Sequence, residues 1–227
     1  RTRTAAWVRE GAVSVDGVVA DDPAKKYAAN AQVKIRHTET QWVSRGAHKL
    51  LGALELFPIE VAGKTCLDLG SSTGGFTEVL LRNGAAKVYA VDVGHDQLAP
   101  SLKANPAVVS MEGTNARHLT KQLVPDGIDL LVSDVSFISL RLALPAGIDL
   151  LAPDGQLVVL IKPQFEVGKG NLGKNGVVKD PLLHEQVCED IRSFMVETGL
   201  EVGGISTSPI LGPKGNKEFL IHAKKKA

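Results

Sequence analysis

Apolar and polar positions change their spacing along this chain in a regular way. Short apolar runs bounded by turn residues predict strands at Lys64 to Leu69, Lys87 to Val93, Ala107 to Met111, Ile128 to Ser133 and Gln156 to Ile161. Between them, apolar residues three and four apart predict helices over Thr77 to Asn83, Gln97 to Ala104, Phe137 to Leu151 with a kink at Pro145, and Leu182 to Thr198. Two more strands follow, near Leu200 to Thr207 and Glu218 to Ala223. Alternation of this kind predicts an α/β fold, a doubly wound sheet that is mainly parallel with an antiparallel last strand. Ligands on such sheets bind beyond the carboxyl ends of the strands, where Gly70, Asp92, Asn115, Asp134 and Lys162 all fall.

A smaller pattern precedes this one. Ala5 to Glu10 reads as a short helix closed by Gly11, Val13 to Val19 alternates around an Asp16-Gly17 hairpin signal, and Ala31 to Ile35 reads as a strand. Residues 1–37 are thus expected to form a unit of their own, 38–43 a linker with Trp42 as packing anchor, and 44–227 the main domain. Ser44 is placed to cap a helix ending before Pro58, with Ala47, Leu50, Leu51, Leu54 and Phe57 on its inner face.

With 227 residues, 44% of them hydrophobic, the chain can bury one substantial core. A net charge of +1 excludes a uniformly basic nucleic-acid coat, so any RNA contact falls to local patches. Arg1, Arg3, Arg9, Lys25 and Lys26 make one such patch, and Arg45, Lys169 and Lys174 lie near the expected ligand edge. Two cysteines, Cys66 and Cys188, form neither a disulfide framework nor a metal-ligand pattern, which points to a reducing, cytoplasmic setting without a bound metal. No apolar run is long enough to span a membrane. Since residue 1 is Arg, further residues are expected upstream, and a monomer is expected.

The glycine turn at Leu69-Gly-Ser-Ser-Thr-Gly-Gly-Phe is spaced G-x-x-x-G-G, and Asp68 stands before it. A carboxylate there would repel a pyrophosphate and attract an ammonium. Asp92 ends the next strand about twenty residues on, where an acidic side chain accepts ribose hydroxyls. An amino acid joined to a ribose describes S-adenosyl-L-methionine. The candidate cofactor set is Asp68, Gly70, Ser71, Ser72, Gly74, Gly75, Phe76, Asp92, Val93, Asn115 and Ala116.

Four charged residues converge on the same rim once the strands are placed: Lys49, Asp134, Lys162 and Glu218. Beside a methyl donor they suit in-line attack by a substrate oxygen. Lys162 would act as base or oxyanion stabiliser, Asp134 and Glu218 would orient it, and Lys49 would help to place the ribose.

Specific stretches carry a family resemblance. Trp-Val-Ser-Arg-Gly-Ala-His-Lys from Trp42, the glycine turn from Leu69, Thr-Asn-Ala-Arg from Thr114, Ser-Phe-Ile-Ser-Leu from Ser136 and Lys-Pro-Gln-Phe-Glu-Val-Gly-Lys-Gly from Lys162 resemble the TlyA family, known both as haemolysins and as ribosomal RNA methyltransferases. Beyond it they resemble the FtsJ-like 2′-O-methyltransferases. The resemblance implies a Rossmann-like methyltransferase sheet, a Lys-Asp-Lys-Glu tetrad falling on Lys49, Asp134, Lys162 and Glu218, and methylation of cytidine 2′-hydroxyls in ribosomal RNA or ribosomal subunits. The first unit resembles the second half of an α-L type RNA-binding domain. Thr40 stands where the family's linker carries an arginine.

Other motifs fail on chemistry. Gly168 to Lys174 begins a phosphate loop, but Asn175 replaces the required Ser or Thr. His184-Glu185 begins a zinc-protease motif, but Cys188 takes the second histidine position. The competing functions are a membrane-active haemolysin, a catalytically inactive RNA-binding protein and a small-molecule methyltransferase.

Overall fold

Asp16 and Gly17 both adopt left-handed backbone, with φ of 50° and 85°, the type I′ geometry whose twist matches paired strands. They join β1 (Val13–Val15) to β2 (Val18–Val19), and β3 (Val33–Ile35) pairs antiparallel with the other side of β1. Val8, Val13, Val15 and Ala20 form the small core beneath. The structure, a computed structural model, describes Val8, residues 13–35 and residues 42–226. Apart from Val8, the helix expected over Ala5 to Glu10 lies outside the described residues, as do Thr40 and most of the expected linker. The chain divides into two compact units, Arg1–Gln41 and Trp42–Ala227.

The second unit is built on β4 (Thr65–Leu69), β5 (Lys87–Asp92), β6 (Val108–Glu112), β7 (Ile128–Ser133), β8 (Leu151–Ile161), β9 (Leu200–Thr207) and β10 (Phe219–Lys225), in the spatial order β6-β5-β4-β7-β8-β10-β9. β4 to β8 are parallel, and β10 runs antiparallel between β8 and β9. This is the doubly wound sheet the sequence pattern predicts.

Alternate side chains of a strand point to opposite faces, and both faces are covered. Leu67, Leu69, Leu131, Val159 and Ile221 pack on α4 (Leu140–Ala143), α5 (Pro145–Asp149) and α6 (Pro181–Glu197) through Leu140, Ile148, Ile191 and Phe194. Cys66, Val88, Leu130, Val158 and Leu220 pack on α1 (Ala47–Leu56) and α2 (Gly75–Arg82) through Leu50, Ala53, Val79 and Leu80. The short α3 (Pro100–Lys103) sets Leu98 and Leu102 against Ala90.

Three local expectations differ. Ser44 does not cap α1: the capping residue is Gly46, and Ser44 Oγ accepts from its backbone N–H at 3.1 Å. The helix expected from Gln97 begins at Pro100, because Glu112 accepts from the backbone N–H groups of Gln97 and Leu98 and holds them out of a helix. The helix expected from Phe137 splits into α4 and α5 at Pro145, and Phe137 itself stands outside them with φ 65°.

The strand directions decide what meets at the ligand edge. Gly70, Asp134 and Lys162 follow the carboxyl ends of β4, β7 and β8, and Asp92 is the last residue of β5. Because β10 is antiparallel, Glu218, the residue just before it, arrives at the same edge.

Candidate active site

The four charged residues form one unbroken line of opposite charges. Lys162 Nζ lies 2.6 Å from Asp134 Oδ1, Lys49 Nζ lies 3.1 Å from Asp134 Oδ2, and Lys49 Nζ lies 2.9 Å from Glu218 Oε2. Glu218 is 1% exposed, Lys49 5% and Lys162 6%. Charges so buried persist only when paired, since removing an ion from water costs several kcal/mol. Two cations alternate with two carboxylates, so the line carries no net charge. One expectation needs correction: Glu218 orients Lys49, not Lys162. Lys162 is held instead by Asp134 and by Ser136, whose Oγ accepts from Nζ at 2.7 Å.

Two clefts meet at this line. One, about 350 Å³, is walled by Val91, Val93, Ala116 and Ile138 and edged by Asp92, Gln97, Thr114 and Asn115. The other, about 230 Å³, is lined by Ser44, Arg45, Gly46, Lys49, the glycine turn, Phe76 and Lys162. Gly70, Ser72, Asp134 and Ser136 line both, so they form the seam. Asp92 is fixed in orientation: Oδ2 accepts from Ser72 N at 2.8 Å and Oδ1 from Gly94 N at 2.7 Å. A carboxylate has about four acceptor positions, which leaves Asp92 capacity for hydroxyls in the larger cleft. Apolar walls plus one oriented carboxylate fit a nucleoside, as S-adenosylmethionine requires.

Asp68 sits elsewhere than expected. It is fully buried beneath α2, with Thr77 Oγ1 donating to Oδ2 at 2.7 Å, and it lines neither cleft. The even-numbered positions of β4 face α2, which is why Asp68 points there with Cys66. Burial pushes its carboxyl up to about 7, against the pull of the Thr77 hydrogen bond, and Oδ1 has no partner among the described residues. The glycines of the turn, of which Gly70 and Gly75 line the clefts, also meet protein on their other side. A Cβ on Gly70 would press on the Val135 backbone at 3.0 Å, one on Gly74 would run into Leu102, and one on Gly75 into Ser44. They let the turn pack against protein on its far side, and with that the seam can form.

Arg45 is committed in part, donating to the Leu211 carbonyl at 3.0 Å. Lys25 and Lys26 are exposed in the first unit, with Lys25 Nζ 5.5 Å from the Tyr27 ring. Arg1, Arg3 and Arg9 lie outside the described residues, as do the side chains of Lys169 and Lys174. No group of three or more His, Cys, Asp or Glu among the described residues could hold a metal ion.

Sequence reasoning gave the segment after β7 only as a family-matching stretch and assigned it no place in the site. Val135, Ser136, Phe137 and Ile138 line the larger cleft, and Phe137 is 90% exposed at its mouth with its ring 5.2 Å from that of Phe165. Their place directly after a strand-end aspartate was the available signal, overridden by helical spacing. Asn216 was also passed over. Buried two residues before Glu218, it accepts from Val178 N and donates to the Gly176 carbonyl, tying the segment between β8 and α6 to the start of β10.

Known proteins match this architecture over nearly its whole length. The FtsJ-like methyltransferase family matches residues 42–225. The 16S/23S rRNA (cytidine-2′-O)-methyltransferase TlyA of Mycobacterium tuberculosis is 48% identical over 222 residues, which is 97% of this chain and 83% of that protein. Hemolysin A of Brachyspira hyodysenteriae is 40% identical, over 98% of this chain and 92% of that protein. A crystal structure of a candidate hemolysin from Lactococcus lactis shares the fold with a TM-score of 0.80 at 45% identity, covering 83% of this chain and 90% of that one. The resemblance drawn from the motifs is borne out: the chain belongs to the FtsJ-like methyltransferase family.

Proposed function

We propose that this protein transfers a methyl group from S-adenosylmethionine to ribose 2′-hydroxyls of cytidine in ribosomal RNA. The observation that carries the reading is the line Lys162–Asp134–Lys49–Glu218 at the seam of two clefts, one suited to a nucleoside and one open to an acceptor. The name of the Mycobacterium tuberculosis relative supports the choice of acceptor.

When bound, S-adenosylmethionine supplies an electrophilic methyl on a sulfonium. The chain's own residues do the rest. Asp92, oriented by Ser72 N and Gly94 N, accepts the ribose hydroxyls of the cofactor. Val91, Val93, Ala116 and Ile138 exclude water around its base. Lys162 would meet the acceptor 2′-oxygen and stabilise its developing charge; the hydroxyl proton would pass to solvent as the oxygen–methyl bond forms and the methyl–sulfur bond breaks, with the donor leaving as a neutral thioether. Asp134 holds Lys162 and Lys49 at one fixed spacing, and Glu218 fixes the far side of Lys49. Arg45 and the first unit, with Lys25 and Lys26, supply phosphate contacts that place the RNA. The work is done in the cytoplasm, on ribosomal subunits or their RNA.

The test is to incubate the protein with labelled cofactor and each ribosomal subunit, then map the modified riboses. Label on cytidine 2′-oxygens is expected, and Lys162→Ala should abolish it while calorimetry still detects cofactor binding. A wild-type rate in that variant would remove Lys162 from the mechanism. Hemolysin A supplies a second name among relatives, but no helix among the described residues is long and apolar enough to cross a membrane. No dye release from liposomes is expected.

A further inference from the structure

Lys162 Nζ makes three contacts: hydrogen bonds to the Asp134 carbonyl at 3.3 Å and to Ser136 Oγ at 2.7 Å, and an ion pair with Asp134 Oδ1 at 2.6 Å, so one of its three N–H donors makes no hydrogen bond among the described residues and is left for the acceptor oxygen. Two of the three belong to one residue. Asp134 alone would leave the ammonium free to swing about a single anchor; the contact to Ser136 fixes its direction. That contact lies at the seam, since Ser136 and Asp134 line both clefts.

The turn that presents Ser136 is held under strain. Phe137, the next residue, has φ 65°, a conformation that costs a non-glycine residue roughly 1 to 3 kcal/mol and persists only where its surroundings enforce it. Glu166 enforces it here. Its Oε2 accepts from Ser139 Oγ at 2.6 Å and its Oε1 from Leu140 N at 2.9 Å, tying the far end of the turn to the segment that begins with Lys162. The two segments are thus cross-linked twice, by Lys162 to Ser136 and by Glu166 to Ser139. Strain kept at a cleft and clamped from both ends serves placement of a side chain rather than stability.

We propose that Ser136 is the positioning residue of the methyl transfer, the contact outside Asp134 that aims Lys162 at the acceptor oxygen. This rests on the proposed function and adds a residue outside the charged tetrad. It acts through Lys162, so its loss should slow transfer without weakening either ligand.

Steady-state methyl transfer to ribosomal subunits by the full chain tests this with three variants. Ser136→Ala should lower kcat about tenfold while the RNA KM and the calorimetric cofactor Kd stay within about twofold of wild type. Ser136→Thr, which keeps the hydroxyl, should restore most of the rate. Lys162→Ala, run beside them, should be inactive, which keeps the two readings apart. An unchanged kcat in Ser136→Ala with Lys162→Ala inactive would overturn the role of Ser136 alone. Parallel loss of kcat, RNA affinity and cofactor affinity, or no rescue by threonine, would also overturn it in favour of a purely structural role. Full activity in Lys162→Ala would instead overturn the underlying assignment.

Discussion

Lys49 lies 2.9 Å from Glu218, a carboxylate with 1% of its surface exposed, and the two residues are brought together from a leading helix and the final strand. The pair is the inner end of the charge line, and its burial limits screening by solvent. Glu218→Gln keeps the volume and removes the charge, leaving Lys49 with Asp134 alone. Breaking one side of a buried pair costs roughly 3 to 5 kcal/mol. Urea unfolding should show a loss of that order, and methyl transfer should fall at least about tenfold. Combining Lys49→Met with Glu218→Leu should recover stability but not activity.

Gly74 has φ 98°, and a Cβ there would meet Leu98 at 2.9 Å and press into Leu102. Gly74→Ala therefore combines left-handed strain with overpacking, together about 2 to 5 kcal/mol. Urea unfolding should report the loss. Cofactor affinity should fall with it, because the same turn carries Ser72 and its bond to Asp92.

Asp68 contributes a pH dependence of unusual sign. Its folded pKa of about 7 stands above the ordinary 3.8, so between those values the folded protein keeps a proton that the unfolded chain has released. Stability should be highest at the acid end of that window and fall as pH rises toward 7, by at most about 4 kcal/mol. Asp68→Asn should flatten the fall, as read by urea midpoints across the window.

His222 works in the opposite direction. Burial lowers its pKa below the ordinary 6.5, its ring stacks on Phe57 with centroids 5.3 Å apart, and neither ring nitrogen has a partner among the described residues. As pH falls below 6.5 the unfolded chain takes up the proton first, so stability is lost on acidification. His222→Phe should keep the stack and remove the loss, giving a higher urea midpoint than wild type at about pH 5.

Much of this protein was legible in the linear pattern. Asp16-Gly17 specified a hairpin because few dipeptides tolerate two left-handed residues, and the apolar run at Ile128 to Ser133 became a strand with those bounds. Asp92, Asp134 and Lys162 could be placed on one edge because parallel strands end together. These are short-range rules, and sequence states them directly.

Tertiary structure alone decided which groups touch. Parity along β4 sent Asp68 under α2 instead of into a cleft, and the insertion of an antiparallel β10 between β8 and β9 delivered Glu218 to Lys49 rather than to Lys162. The turn at Ser136 and Phe137 shows the same division: helical spacing was present in the sequence, and ties from Lys162 and Glu166 overrode it. Periodicity sets the direction and register of each element, but pairing between side chains far apart in the chain depends on the order in which strands lie side by side.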